Sequence, residues 1–331
     1  MPLAGSDDGV YRFPTVDGSA DRTAEQVLDS GRVMRLRQFD AADGIFAATT
    51  TGLFHSVDGE SWTDLGVPEA QVYSVGALPD GRRYAGTRPA RVYVGELDGG
   101  AAASEGDGAP SVDWTECEGF QDLPSREEWR LPRHENLAQV RDLHRDPADS
   151  DRLVAGVEVG GVHVSDDGGE TWTERRDPGD ESGLDDDIHE LCVVGAGEYV
   201  AATGFGLFRT TDAGQSWTRL DEGYDQRYFR SVAAVDGVVY AGGALANSST
   251  WDDADADPEL FAVRDGEPEV LDFPASDETV TGLTAADGGL VVATHRGLVL
   301  VHRDGEWTTV GDLPVTEELT GRYTPLSRVE N

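Results

Sequence analysis

The chain has 331 residues, of which 64 are acidic and 26 are basic, and its net charge is −38. Every basic residue is an arginine, since the sequence contains no lysine. So negative a chain lacks the electrostatic attraction that drives binding to nucleic acid or to an anionic membrane surface, and we expect neither as a partner.

An acidic, lysine-free surface on a chain with clear apolar patterning is typical of a protein from an extreme halophile. At molar salt the Debye length is about 3 Å, which screens most of the self-repulsion. The N-terminus lacks the charged and apolar regions of a signal peptide, and no apolar run approaches the length of a membrane span. We therefore expect a cytoplasmic protein, in which Cys117 and Cys192 are buried free thiols.

Seven Asp-Gly hairpin signals recur along the chain at intervals of roughly 40 to 50 residues, with one longer gap, a period typical of propeller blades. Glycine supplies the positive φ of a tight hairpin, and aspartate can bond the backbone of its own turn. In chain order the signals begin at Asp17, Asp58, Asp98, Asp167, Asp212, Asp265 and Asp304.

The clearest units cover residues 47–62, 156–172 and 202–217. Each reads as a strand, a glycine turn, a second strand, the Asp-Gly turn and a last strand that starts at a tryptophan. A further short apolar strand precedes each unit, which makes four strands, A to D. The predicted A strands are Val33–Leu36, Val72–Val75, Val140–Leu143, Ile188–Leu191, Phe229–Val232 and Val280–Leu283.

The two ends of the chain complement each other. The first unit starts at Leu3–Gly5 with a B strand, whereas residues 319–323 resemble an A strand with nothing after it. The sequence therefore predicts an all-β fold, a seven-bladed β-propeller of four-stranded antiparallel blades whose first blade is closed by the C-terminal strand. We expect one domain over residues 1–331, monomeric as a folding unit, with insertions at about 98–112, 118–138 and 245–258.

The Asp-Gly turns resemble the Asp-box of BNR-repeat propellers. Ser165-x-Asp-x-Gly-x-Thr-Trp172 and Thr210-x-Asp-x-Gly-x-Ser-Trp217 match the box position by position, and Ser56-x-Asp-x-x-Ser-Trp62 is one residue short. Within that superfamily the chain looks most like the photosystem II stability/assembly-factor-like proteins, which are often loosely labelled glycosyl hydrolases. The resemblance implies a binding scaffold without catalysis. It also implies structural roles for Asp58, Trp62, Asp167, Gly169, Trp172, Asp212, Gly214 and Trp217.

The order of strands predicts on which face a ligand site lies. The C–D turns share one face, while the B–C turns and the D-to-A connections share the opposite face. On that opposite face the sequence places several arginines, histidines and aromatic residues, which suit a protein partner or a small anionic ligand. A mesh of arginine–carboxylate pairs that only tightens the ring is the alternative. The candidate residues are Arg35, Arg88, Trp129, Arg133, His134, Arg141, Glu158, Asp187, His189, Tyr228, Arg230, Trp251 and Arg296.

A glycoside hydrolase is the alternative function. Tyr11-Arg-Phe-Pro14 resembles a sialidase motif, but the repeat assigns it to the C strand of the first blade, away from the centre. A glycosidase needs two carboxyl groups about 5–10 Å apart, and Glu158 with Asp187 is the best candidate pair.

Metal and cofactor motifs are weak, so we expect no metal ion and no cofactor. Asp253-x-Asp-x-Asp257 starts like an EF-hand loop, but Pro258 stands where glycine is needed and Arg264 where the last glutamate belongs. The histidines show no ligand spacing, and there is no phosphate loop or Cys-x-x-Cys.

Overall fold

The computed structural model describes residues 2–13, 23–97, 112–175, 187–286, 288–315 and 323–328. These residues form seven four-stranded antiparallel sheets arranged as the blades of a β-propeller, as the sequence predicts. In every blade the strands pair in the order A-B-C-D, with A innermost. None of the helices in the described residues has the length and hydropathy of a membrane-spanning segment.

Strand numbers follow the chain, and each blade takes four strands. Blade 1 contains β28 (Leu326–Arg328), β1 (Pro2–Gly5), β2 (Gly9–Arg12) and β3 (Glu25–Asp29). Blade 2 contains β4 (Val33–Phe39), β5 (Ala42–Thr49), β6 (Gly52–Ser56) and β7 (Thr63–Asp64). Blade 3 contains β8 (Val72–Ala77), β9 (Arg82–Thr87), β10 (Val92–Glu96) and β11 (Thr115–Glu116). Blade 4 contains β12 (Gln139–Arg145), β13 (Leu153–Glu158), β14 (Gly161–Ser165) and β15 (Thr173–Glu174).

The last three blades follow the same order. Blade 5 contains β16 (Ile188–Gly195), β17 (Glu198–Thr203), β18 (Gly206–Thr210) and β19 (Thr218–Arg219). Blade 6 contains β20 (Tyr228–Val235), β21 (Val238–Ala244), β22 (Glu259–Arg264) and β23 (Glu267–Val270). Blade 7 contains β24 (Val280–Ala286), β25 (Gly289–Thr294), β26 (Leu298–Arg303) and β27 (Glu306–Asp312).

The C-terminal strand closes the ring, but it lies later in the chain than predicted. β28 pairs with β1 in blade 1 through Leu326, Ser327 and Arg328, whereas Tyr323 precedes the strand. The predicted closing strand at 319–323 otherwise falls outside the described residues. Leu326 is buried with Ala4 and Val291, so the closure brings together residues from the two ends of the chain and from blade 7.

The hydrophobic core lies between neighbouring blades. Seven clusters of buried residues each join adjacent sheets, and most of their members are valine, leucine and alanine from the A, B and C strands. Three tryptophans of the Asp-Gly turns pack there: Trp62 against the cluster of blades 1 and 2, Trp172 between blades 3 and 4, and Trp217 between blades 4 and 5. Their D strands begin one residue after the tryptophan.

The aspartates of these turns hold the backbone of their own hairpins. Asp167 accepts hydrogen bonds from the amide of Thr171 at 2.9 Å, from its hydroxyl at 2.6 Å and from the Ser165 hydroxyl at 2.8 Å. Asp212 repeats the pattern with Ser216 and Thr210. Gly169 and Gly214 have φ values of +94° and +82°, which side chains rarely tolerate.

Two of the three predicted insertions lie within the described residues. The insertion before blade 4 forms three short 3₁₀ turns, Glu118–Phe120, Arg126–Glu128 and Pro132–His134. The insertion in blade 6 contains the 3₁₀ turn Ser248–Thr250. The predicted loop at 98–112 lies almost wholly outside the described residues. Cys117 and Cys192 are both buried and unbridged, as predicted.

Candidate functional site

A repeated backbone irregularity positions the site. Six inner strands carry a β-bulge near their start, between Val33 and Arg35 in β4 and at the equivalent points of β8, β12, β16, β20 and β24. A bulge leaves one residue outside the ladder and re-aims its side chain. The six residues that the bulges leave outside the ladder are Met34, Tyr73, Arg141, His189, Arg230 and Thr281.

The centre of this ring is an arginine–tyrosine stack. The guanidinium carbons of Arg141 and Arg230 lie 4.3 Å and 4.0 Å from the centroid of the Tyr323 ring. Arg141 also donates to the Tyr323 hydroxyl. Burial raises the pKa of Tyr323, but Arg141 and Arg230 outweigh burial and hold that pKa below its ordinary value. Both arginines are almost fully buried, at 1 % and 5 % exposure.

Glu158 provides the negative charge beside this stack. Its carboxylate accepts from Gln139 Nε2 at 2.6 Å, lies 3.4 Å from Arg141 Nε and accepts from Arg133. Burial opposes the ionisation of Glu158, but Arg141 and the other nearby cations lower its pKa to about 2. Glu158 is therefore a permanent carboxylate at neutral pH.

His189 is buried, and its Nδ1 lies 2.7 Å from the carbonyl oxygen of Phe229. A carbonyl can only accept, so Nδ1 carries the proton and Nε2 presents a lone pair. Burial, reinforced by Arg230, lowers the pKa of His189 to about 3, so the ring is neutral at pH 7. Its Nε2 lies 3.8 Å from Asp187 Oδ2 and has no hydrogen-bond partner within the described part of the chain.

Aromatic rings border the arginine–tyrosine stack and His189. Tyr228 packs against His189 with ring centroids 4.5 Å apart, and Trp251 packs edge-on against Tyr228 at 6.1 Å. Trp251 is 1 % exposed and donates to the carbonyl of Ala246, so the long insertion of blade 6 is anchored here. On another side Arg88 lies over Tyr73, 5.5 Å from the ring centroid.

The structure thus brings together seven of the thirteen residues that the sequence placed in the site. These seven are Arg133, Arg141, Glu158, Asp187, His189, Tyr228 and Arg230. We use the name central cluster for these seven residues together with Tyr323 and Gln139. Trp251 and Arg88 border the cluster.

Three of the other predicted residues have different surroundings. Trp129 is 2 % exposed and packs in the core against Phe120, because its indole donates to Ser125 and closes the insertion before blade 4. Arg296 lies at an exposed edge, where it contacts Asp252 and Asp277. The side chain of His134 lies outside what the structure describes.

Arg35 lies deeper, in a central cavity of about 440 Å³ that runs below the cluster. It donates to the carbonyl of His189 at 2.8 Å and lies 3.5 Å from Asp142. Asp142 is fully buried and also bonds Arg37 at 2.8 Å, so a second set of charges spans the cavity beneath the site.

Tyr73, Gln139 and Tyr323 were absent from the sequence-based candidates. The sequence could have placed Tyr73 in the site, because Tyr73 is the second residue of its predicted A strand. Arg141, His189 and Arg230 hold the same second position in their predicted A strands. Tyr323 could not be placed, since its position depends on where the closing strand begins.

Comparison with known proteins supports the fold alone. No protein-family model matches the chain, and no curated protein matches it. The GH74 xyloglucanase from Xanthomonas campestris superposes with a TM-score of 0.56 at 17% identity, over 84% of this chain and 45% of the enzyme. The chain thus spans less than half the length of that enzyme.

Two further solved structures span lengths similar to this chain. YCF48 bound to D1 peptide gives a TM-score of 0.54 at 15% identity, over 84% of this chain and 81% of that one. The Cps50 (Swd1) β-propeller domain of Myceliophteria thermophila gives a TM-score of 0.57 at 10% identity, over 89% and 90% of the two chains. The chain is therefore similar in architecture to propellers with several unrelated roles.

Proposed function

We propose that the protein is a non-catalytic scaffold that binds an anionic group, carried by a protein partner or a small ligand, at the central cluster. The cluster lies on the face opposite the Asp-Gly turns, where the A strands begin. We further propose that it acts in the cytoplasm of an extreme halophile and belongs among the BNR-repeat, assembly-factor-like propellers.

The observation that carries this proposal is the pair Arg141 and Arg230. Both guanidinium groups are nearly buried, and Arg230 NH2 has no hydrogen-bond partner among the described residues. A buried cationic donor without an acceptor costs free energy that a bound carboxylate or other oxyanion would recover. The chain has a net charge of −38, so an anion would be held here by this local arrangement and not by the overall field.

The complex of YCF48 with a D1 peptide supports a protein partner. That propeller has the fold of this chain and binds a peptide. The fold likeness brings no partner with it, so the identity of the peptide is not transferred to this chain.

A glycoside hydrolase is the second candidate, and one observation favours it. A carboxylate oxygen of Glu158 and one of Asp187 lie within 4.8 Å of each other, near the spacing of a retaining pair. The low pKa of Glu158 argues against it as a general acid, since it cannot carry a proton at neutral pH. A panel of fluorogenic glycosides at high salt, with Glu158→Gln and Asp187→Asn, tests this candidate.

The binding proposal is tested with Arg230→Gln and a matched control, Arg12→Gln. Arg12 lies on the C strand of blade 1, not on an inner strand, and pairs with Glu25 and Glu60 outside the cluster. Calorimetric titration in molar KCl would use small carboxylates and short acidic peptides with free C-termini. We expect at least one probe to bind the wild type and the control equally, and Arg230→Gln about tenfold or more weakly. Equal binding by all three proteins, or binding by none, contradicts the proposal.

A further inference from the structure

Three residues of the central cluster point potential metal ligands at one another. Glu158, Asp187 and His189 each offer one ligand atom, and the three atoms lie within 4.8 Å of one another. They come from the end of β13, from the residue before β16 and from the bulge of β16. Two carboxylates and an imidazole form a donor set that suits Zn²⁺, Mn²⁺ or Co²⁺.

The orientation of His189 is the second observation. The bond between its Nδ1 and the Phe229 carbonyl fixes the tautomer in which Nε2 carries a lone pair. That lone pair belongs to a fully buried side chain and lies 3.8 Å from Asp187 Oδ2, and Nε2 has no hydrogen-bond partner among the described residues. A lone pair facing a carboxylate is unfavourable unless a cation or a proton donor lies between them. A backbone carbonyl is one of the groups to which metal-binding histidines donate the proton of their other ring nitrogen.

Arg133 marks the place that such a cation would occupy. Its NH2 contacts Glu158 Oε1 and lies 3.7 Å from Asp187 Oδ1, so one guanidinium nitrogen bridges the two carboxylates. The Arg133 side chain is 55% exposed and comes from the insertion before blade 4. Because the Arg133 side chain is half-exposed, it can turn toward solvent when another cation takes its place beside the buried carboxylates.

The remaining contacts also suit a metal centre. The second oxygen of Glu158 accepts from Gln139 Nε2, which fixes the carboxylate. Asp187 lies against Gly204, where an added Cβ would come within 2.4 Å of Asp187 Oδ2, so a larger residue at 204 would displace the carboxylate from its present position. Typical metal–ligand distances of about 2.1 Å require the three ligand atoms to close in by roughly 1 Å.

We propose that Glu158, Asp187 and His189 form a binding site for a divalent transition-metal ion, with Arg133 as a displaceable cation in the metal-free protein. The two carboxylates balance the ion, which leaves the charges of Arg141 and Arg230 available for an anion bound beside it. Metal binding does not require a partner and is therefore independent of the proposed scaffold function.

The test uses Co²⁺ as the probe, with calorimetry and visible absorption at high KCl. His189→Asn keeps a donor near the Phe229 carbonyl and removes Nε2, while Asp187→Asn removes a ligand charge with little change of shape. The matched control is Asp252→Asn, because Asp252 also lies near a histidine, His295, at 3.4 Å but outside the cluster. Urea unfolding of each variant checks that it is folded.

We expect the wild type and Asp252→Asn to bind one Co²⁺ with a visible d–d spectrum, and both ligand variants to bind about tenfold or more weakly. Arg133→Ala should bind more tightly than the wild type, because the competing cation is gone. The proposal is overturned if the wild type gives no stoichiometric Co²⁺ binding, or if folded Asp187→Asn and His189→Asn bind as well as the wild type. It is also overturned if Arg133→Ala weakens binding, which would make Arg133 part of a permanent ion pair.

Discussion

At the scale of single residues, the aspartates of the Asp-Gly turns and the buried carboxylates perform different tasks. Asp167 and Asp212 are exposed enough to be solvated and organise their own hairpins, whereas Asp142 and Glu158 are buried among arginines. The first group was accessible to sequence analysis, because a turn is specified by neighbouring residues. In the second group the sequence singled out Glu158 but not Asp142, because the partners of Asp142 come from different blades.

Asp167→Ala should lower the free energy of unfolding by about 1–3 kcal/mol, because three hydrogen bonds to the hairpin are lost. Asp166→Asn is the matched control. Asp166 pairs with Arg152 at an exposed position, and such pairs contribute less than about 1 kcal/mol. Urea unfolding at fixed salt measures both variants, and equal effects would contradict the assigned role of Asp167.

Asp142 should make the protein sensitive to acid. Burial raises its pKa, but Arg37, His144 and Arg35 outweigh burial and lower the pKa well below the ordinary value. Because the pKa of Asp142 is lowered in the folded state, its carboxylate contributes its full stabilising free energy above the unfolded-state pKa, about 4. This contribution is lost as the pH falls from there through the lower folded-state pKa. Asp142→Asn should destabilise the protein by about 3–5 kcal/mol at pH 7 and flatten the dependence of unfolding free energy on pH below about 4. An unchanged acid limb in the variant would contradict this role.

At the scale of elements, the inner strands decide where chemistry can occur. Short apolar runs in the sequence predicted six A strands, and the structure confirms all six. The bulges within these strands could not be predicted from the sequence, because a bulge depends on how the strand pairs with its neighbour. The bulges place Arg141, His189 and Arg230 at the centre.

The closure of the ring depends on an equally local contact. A Cβ on Gly282, in the inner strand β24, would come within 1.8 Å of the carbonyl oxygen of Thr324, just before β28. Gly282→Ala should therefore push the closing segment away and lower the unfolding free energy by about 1–3 kcal/mol. Gly195→Ala is the control, since the nearest atom lies 3.9 Å from its Cβ and we expect a change below about 1 kcal/mol. Hydrogen exchange of residues 324–328 would report the opening, and slow exchange in Gly282→Ala would argue against it.

At the scale of the whole molecule, the fold was predictable because its repeats are local and similar. Repetition of a four-stranded unit sets the number of blades, and complementary ends set the closure. The site was predictable only as a face, since the exact neighbours of each side chain depend on how seven blades converge. Trp129 shows the limit: its sequence context placed it with the site residues, but the packing of the insertion buries it in the core.

The net charge of −38 predicts that stability depends strongly on salt. The Debye length falls from about 10 Å at 0.1 M to about 3 Å at 1 M, which screens repulsion between surface carboxylates while leaving buried pairs such as Arg37–Asp142 largely intact. We expect the thermal midpoint to rise between about 0.1 and 2 M KCl. A midpoint that stays constant or falls would contradict a halophilic adaptation.

Anion binding at the central cluster is tested most directly by a crystal structure of the protein in molar bromide, with the bromide ions located by anomalous scattering. We predict a bromide at the central cluster, within contact distance of Arg230 NH2 and beside Arg141, and its loss in Arg230→Gln crystals. A central cluster without bromide, in crystals that show bromide elsewhere on the surface, would mean that the buried arginines only stabilise the ring and that the anion-binding proposal is wrong.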